Sequence, residues 1–126
     1  MPVFGHEPGR FVIEGPSVDV GTRVALNLTM TLNELAINAL KYGSMSVESG
    51  TLAVTWHLQA QADGTLLTLD WREQGGPPVS PPEREGLGSR LMQRCIERDL
   101  AGKFDLTYAA QGVCCRFSFL IGVTGA

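Results

Sequence analysis

At 126 residues, with 44% hydrophobic and 18% charged side chains, the chain has the make-up of one globular domain that buries a core without disulfide or metal staples. Ten Lys and Arg against thirteen Asp and Glu leave a net charge of -3, which argues against nucleic acid as a partner because phosphate-backbone binding needs a basic field. No apolar run reaches the length of a membrane span, and the start from Met1 to His6 lacks the basic-then-apolar order of a signal peptide, so the expectation is a cytoplasmic domain without direct membrane contact.

Residues 1–9 read as a flexible lead into a single domain that takes in the whole chain. Arg10 to Glu14 is a short apolar-rich strand closed by the Gly15-Pro16 turn. From about Val20 to Tyr42 the pattern is helical, with Val24, Leu28, Leu32, Leu35 and Ala39 recurring at three- and four-residue steps, and Gly43 sits where a helix stop belongs. Strict alternation follows. Leu52, Val54, Trp56 and Leu58 point one way and Ala53, Thr55, His57 and Gln59 the other, Asp63-Gly64 marks a hairpin turn, and a second strand returns with Leu67, Leu69 and Trp71 on one face.

Gln74 to Glu85 holds two glycines and four prolines and cannot be regular structure. Gly86-Leu87-Gly88-Ser89 then opens a helix running to about Leu100, with Gly102 as its stop. Two alternating strands end the pattern, one with Phe104, Leu106 and Tyr108, the other with Val113, Cys115, Phe117, Phe119 and Ile121, joined through Gln111-Gly112. The three cysteines, Cys95, Cys114 and Cys115, are odd in number and two are adjacent, so they read as small buried hydrophobes. Strands apolar on one face need helices over that face, and the expected fold is a two-layer α/β sandwich with a mixed, mostly antiparallel sheet of about five strands.

Three places carry chemistry. On the long helix, Glu34, Asn38 and Lys41 fall within an arc of about 60°, some 100° from the Leu35 direction, and Asn27 and Thr31 extend the stripe toward the N-terminus. A carboxylate, an amide and an ammonium in one axial row can serve as acid/base, cation ligand and anion partner, although a solvated polar ladder has the same spacing. On the second strand of the hairpin, Glu73 shares parity with Leu67, Leu69 and Trp71, which aims a carboxylate into the helix layer, where it must find a donor such as an exocyclic amine. Gly75-Gly76 follow directly and suit a close backbone approach to a ligand. Third, Gly86 to Ser89 at a helix start presents free N–H groups of the kind that receive phosphate, with Arg90 placed to add a charge-assisted contact.

The segment Leu32-Asn33-Glu34-Leu35-Ala36-Ile37-Asn38-Ala39-Leu40-Lys41-Tyr42-Gly43 resembles the N box of the ATP-binding domain shared by gyrase, Hsp90, histidine kinases and MutL (the Bergerat or GHKL fold). Within that superfamily Trp71-Arg72-Glu73, Gly75-Gly76-Pro77 and Gly86-Leu87-Gly88-Ser89-Arg90-Leu91 look most like the HWE group of bacterial sensor histidine kinases, and the stretch from Gly76 to Glu85 is similar to that group's short nucleotide lid. The resemblance covers the chain from about Arg10 to Ile121.

The resemblance implies the fold already expected, ATP and Mg²⁺ as ligands, and phosphoryl transfer to a histidine. It places Asn38 on the Mg²⁺ and Glu34 as the polarising or general-base residue. It makes Lys41 a phosphate contact and Glu73 the acceptor for the adenine 6-amino group, and it puts Tyr42, Gly75, Gly76, Gly86, Leu87, Gly88, Ser89 and Arg90 around the nucleotide. One departure stands out: the HWE group has a His just before the N-box Glu, and this chain has Asn33. The helix pair that carries the acceptor histidine in such kinases does not precede the N box, and neither His6 nor His57 has the context of an acceptor. The implied partners are therefore a phosphoacceptor-histidine dimerisation domain outside this chain and a downstream response regulator. Two other readings stay open, a nucleotide-binding pseudokinase and a serine kinase of the anti-sigma type.

Overall fold

The computed structural model describes residues 10–77, 87–109 and 111–121. The lead over residues 1–9, most of the Pro-rich stretch and Gly86 lie outside the described residues. Five strands form one sheet in the order β1-β2-β3-β5-β4: β1 (Phe11–Glu14), β2 (Thr51–Gln61), β3 (Gly64–Gln74), β4 (Lys103–Ala109) and β5 (Gly112–Ile121). Every neighbouring pair is antiparallel except β1 and β2, which run parallel. A parallel pair needs a crossover, and the long helix α1 (Thr22–Lys41) supplies it. A 3-10 turn (Ser44–Ser46) links α1 to β2, and α2 (Leu87–Gln93) continues into a π-helical segment (Arg94–Asp99) before β4.

The alternation read in the strands becomes the two faces of the sheet. Leu52, Val54, Leu67, Leu69 and Trp71 are buried under the helices, as are Val113, Cys115, Phe117, Phe119 and Ile121 of β5. The other face is wetter and carries the cross-strand Asp70–Arg116 pair, 2.7 Å apart with the guanidinium largely exposed. On α1, Val24, Leu35 and Ala39 are buried, whereas Leu28 and Leu32 are half-buried. Asn27 and Thr31 are buried as well, so at its N-terminal half the polar stripe turns inward. The Asn27 Nδ2 donates to the Arg23 carbonyl at 2.9 Å, and Arg23 itself donates to the carbonyl of Asp99 at the end of the π segment. Thr31 lies against Cys95. Burial raises the Cys95 thiol pKa and the Thr31 hydroxyl offsets part of that rise.

Two punctuation marks differ from the sequence reading. Gln61 pairs with Gly64, so the two turn residues of the first hairpin are Ala62 and Asp63, and Gly64 already belongs to β3. The second helical stretch ends through Ala101 in the left-handed region (φ 54°), one residue before the expected stop. The Gly102 N–H then reaches the Ile96 carbonyl at 2.8 Å, a closure one residue wider than the usual Schellman bond, as follows from the wide π turn before it. Gly102 is needed for another reason: a Cβ there would lie 2.1 Å from the Ser118 carbonyl oxygen.

Candidate nucleotide site at the C-terminal end of the long helix

Glu73 occupies the last inward position of β3 and is 2% exposed, as its parity with Trp71 requires. Neither carboxylate oxygen is orphaned. The Trp71 indole N–H donates to Oε2 at 2.9 Å, and the backbone N–H of Ser44 donates to Oε1 at 3.0 Å. Each oxygen therefore holds one donor and keeps further acceptor capacity. A buried carboxylate without such partners would cost several kcal/mol, roughly. The pair of donors is what lets β3 carry an acid inside the helix layer.

The Ser44 donor is brought to Glu73 by the end of α1. The Asn38 carbonyl accepts from the N–H of Tyr42 at 2.8 Å and of Gly43 at 3.1 Å, which closes the helix and turns the chain toward the sheet. Gly43 is forced by what lies beneath it, since a Cβ would stand 2.1 Å from Glu73 Oε1 and 3.1 Å from the Ala39 Cα. The glycine pair after β3 has a similar cause. Gly75 takes a positive φ of 75°, and a Cβ on Gly76 would meet the Ser44 Cα and N at 2.8 Å. These glycines let the chain after β3 press on the segment after α1, so protein packing by itself already requires them.

The remaining residues named from the sequence sort by element. Glu34 and Asn38 are half-buried on α1, while Lys41 and Tyr42 are exposed at its end. Asn38 lies about one turn and Glu34 about two turns before the α1 end next to which Glu73 sits. Leu87, Gly88, Ser89 and Arg90 open α2, with Ser89 half-buried and Arg90 exposed; Gly86 is outside the described residues. Among the described residues no group of three or more His, Cys, Asp or Glu side chains is placed to hold a metal ion. A cation here would rest mainly on waters and a ligand's own oxygens, with an amide such as Asn38 as protein ligand, and Mg²⁺ keeps several waters and takes phosphate oxygens in most sites.

No protein-family model matches the chain. It is 37% identical over 110 residues to a blue-light-activated histidine kinase of Brucella anthropi, a match that takes in 87% of this chain and 22% of that protein. The chain spans about a fifth of the length of the curated relatives it matches. Among solved structures, the histidine kinase domain of a blue-light-activated kinase from Erythrobacter litoralis aligns with a TM-score of 0.67 at 19% identity, over 90% of this chain and 52% of that one. The catalytic domain of the histidine kinase ThkA aligns with a TM-score of 0.58 at 19% identity, over 88% of this chain and 78% of that one. This chain belongs with the catalytic domains of sensor histidine kinases.

In this histidine kinase domain two functional features had no counterpart in the sequence reading. One is the Ser44 N–H, whose approach to Glu73 depends on how α1 ends over β3; no local pattern encodes it. The other is the Trp71 indole as a donor. Its signal was present, because residues two apart on a strand share a face, and Trp71 and Glu73 are two apart.

Proposed function

We propose that this histidine kinase domain binds Mg-ATP and directs its γ-phosphoryl group to a histidine on a dimerisation domain outside the chain, from which a response regulator receives it. The proposed setting is the cytoplasm, with the whole chain acting as one catalytic domain of the HWE type. No helix among the described residues is long and apolar enough to cross a membrane. The observation that carries the reading is the buried Glu73 carboxylate, an acceptor held by two donors beside the end of the helix that bears Asn38.

Each residue then has a task set by its chemistry. Glu73 accepts from the 6-amino group of adenine with the lone pairs that Trp71 and Ser44 leave free. Asn38 presents a side-chain carbonyl to the metal, and Lys41 and Arg90 face the phosphates as charge partners. Tyr42 and the stretch Gly86, Leu87, Gly88 and Ser89 flank the nucleotide, the latter because a helix start favours anionic groups. Glu34 orients the attacking imidazole and takes up its proton. Mg²⁺, when bound, neutralises developing charge on the phosphate oxygens, and the protein's part is positioning and electrostatics. The ThkA kinase has been solved in complex with a response regulator, TrrA, which supports the downstream partner by likeness of fold.

Calorimetric titration of the chain with ATP tests the site. Binding should require Mg²⁺ and weaken about tenfold or more, some 1.4 kcal/mol, in Asn38→Ala. ATP binding that depends on neither the metal nor Asn38 would remove the assignment.

A further inference from the structure

The loop between the end of α1 and β2 bears Ser44, and it is gripped from two directions. Toward β3, the Ser44 N–H donates to Glu73 Oε1 at 3.0 Å and the Ser49 hydroxyl donates to the Gly75 carbonyl at 3.2 Å. Toward β1, the Arg10 Nε donates to the Gly50 carbonyl at 3.0 Å and its Nη2 donates to the Val47 carbonyl. One planar guanidinium thus spans the return of the loop, with charge-assisted bonds that are stronger than neutral ones. The Arg10 carbonyl in turn accepts from the Leu52 N–H at 3.0 Å, which ties Arg10 to the start of β2. Ser46, Val47, Glu48 and Ser49 are exposed, so polar clamps more than packing set the path of this loop.

Gly50 carries the grip to Ser44. A Cβ on Gly50 would stand 1.7 Å from the Ser44 carbonyl oxygen, so the residue whose carbonyl Arg10 holds lies directly against Ser44. Ser44 is 1% exposed, yet among the described residues its hydroxyl has no hydrogen-bond partner, so its own side chain does not anchor it. We infer that Arg10 is a positioning residue for the Glu73 carboxylate: by clamping the Val47 and Gly50 carbonyls it keeps the Ser44 N–H on Oε1. Without that donor Oε1 is buried and uncompensated, and the carboxylate turns toward another partner. The hold on Ser44 concerns the protein alone. Its consequence for base selection, a carboxylate fixed at the angle that accepts from an exocyclic amine, rests on the ATP reading.

Hydrogen exchange of the chain without nucleotide reads the hold on Ser44. In Arg10→Met, which keeps the stem and removes the donors, the Ser44 amide should exchange about tenfold faster relative to the core amides of β3 and β5. Arg10→Lys, whose ammonium still donates to a carbonyl, should recover part of that protection. Unchanged relative protection in Arg10→Met overturns the inference. Calorimetry with ATP and inosine triphosphate reads the consequence: the preference for ATP should shrink severalfold in Arg10→Met and less in Arg10→Lys. A folded Arg10→Met that loses stability but keeps the full preference makes Arg10 a structural clamp only, which also overturns the inference. Arg10→Gln, which retains one donor group, carries both comparisons should Arg10→Met unfold. If the wild type binds neither nucleotide, the ATP reading fails, and the exchange of Ser44 still decides whether Arg10 positions the acid.

Discussion

Glu73 shows how much of a site one buried side chain can organise. Its two oxygens tie β3 to the turn after α1 through Ser44, and the same strand supplies the second donor from Trp71. Trp71→Phe keeps the ring in the core and removes only the N–H. The stranded Oε2 should cost about 1–3 kcal/mol of folding stability, read from urea denaturation. With the carboxylate free to turn, the preference for ATP over inosine triphosphate, which has a 6-oxo group in place of the amine, should shrink severalfold. Glu73→Gln separates the levels. If it leaves that preference unchanged, base recognition by Glu73 is wrong. If it abolishes the preference while Trp71→Phe does not, only the positioning role of Trp71 fails.

At the scale of elements, the second helix is the least regular piece. Its π segment sets the Leu100 N–H on the Cys95 carbonyl at 3.2 Å, and the chain leaves through Ala101 in the left-handed region. A side chain with a Cβ pays roughly 1–2 kcal/mol there. Ala101→Gly should recover about 1 kcal/mol and raise the thermal midpoint by a few degrees, and an unchanged or lowered midpoint would mean that the left-handed ending is not strained. The long helix is different in kind. Its buried stripe and its polar stripe were legible as angles on a wheel. The exposed apolar residues Leu26, Met30, Ile37 and Leu40 were not anticipated, because their exposure depends on which elements pack on α1.

For the whole molecule, pH links to stability through β5. Burial pushes the Cys115 thiol up to about 12, with the carboxylates of Asp105 and Asp70 adding to the rise. The folded state therefore holds this proton more tightly than the unfolded chain. Its contribution is fully present below pH 9, the ordinary thiol value, and is lost as pH climbs toward 12. The loss amounts to as much as about 4 kcal/mol. Urea midpoints of the wild type should fall more steeply than those of Cys115→Ala between these limits, and parallel slopes would exclude the thiol as the cause. The same sheet explains why the fold was largely readable. Period two decided the inward face of β2, β3 and β5, and that face included Glu73.

The alternation of strands and the helical pattern determined the fold class without any coordinates, and the resemblance carried by the motifs pointed to a histidine kinase catalytic domain. These are properties of neighbours in the chain, and near-neighbour periodicity survives any arrangement of the elements. The parallel pairing of β1, the Ser44 contact to Glu73 and the packing cause of Gly43 and Gly76 were settled only in three dimensions. Each depends on atoms brought together from distant segments, where the deciding term is excluded volume or a hydrogen bond across the fold, and no pattern within a single segment records it.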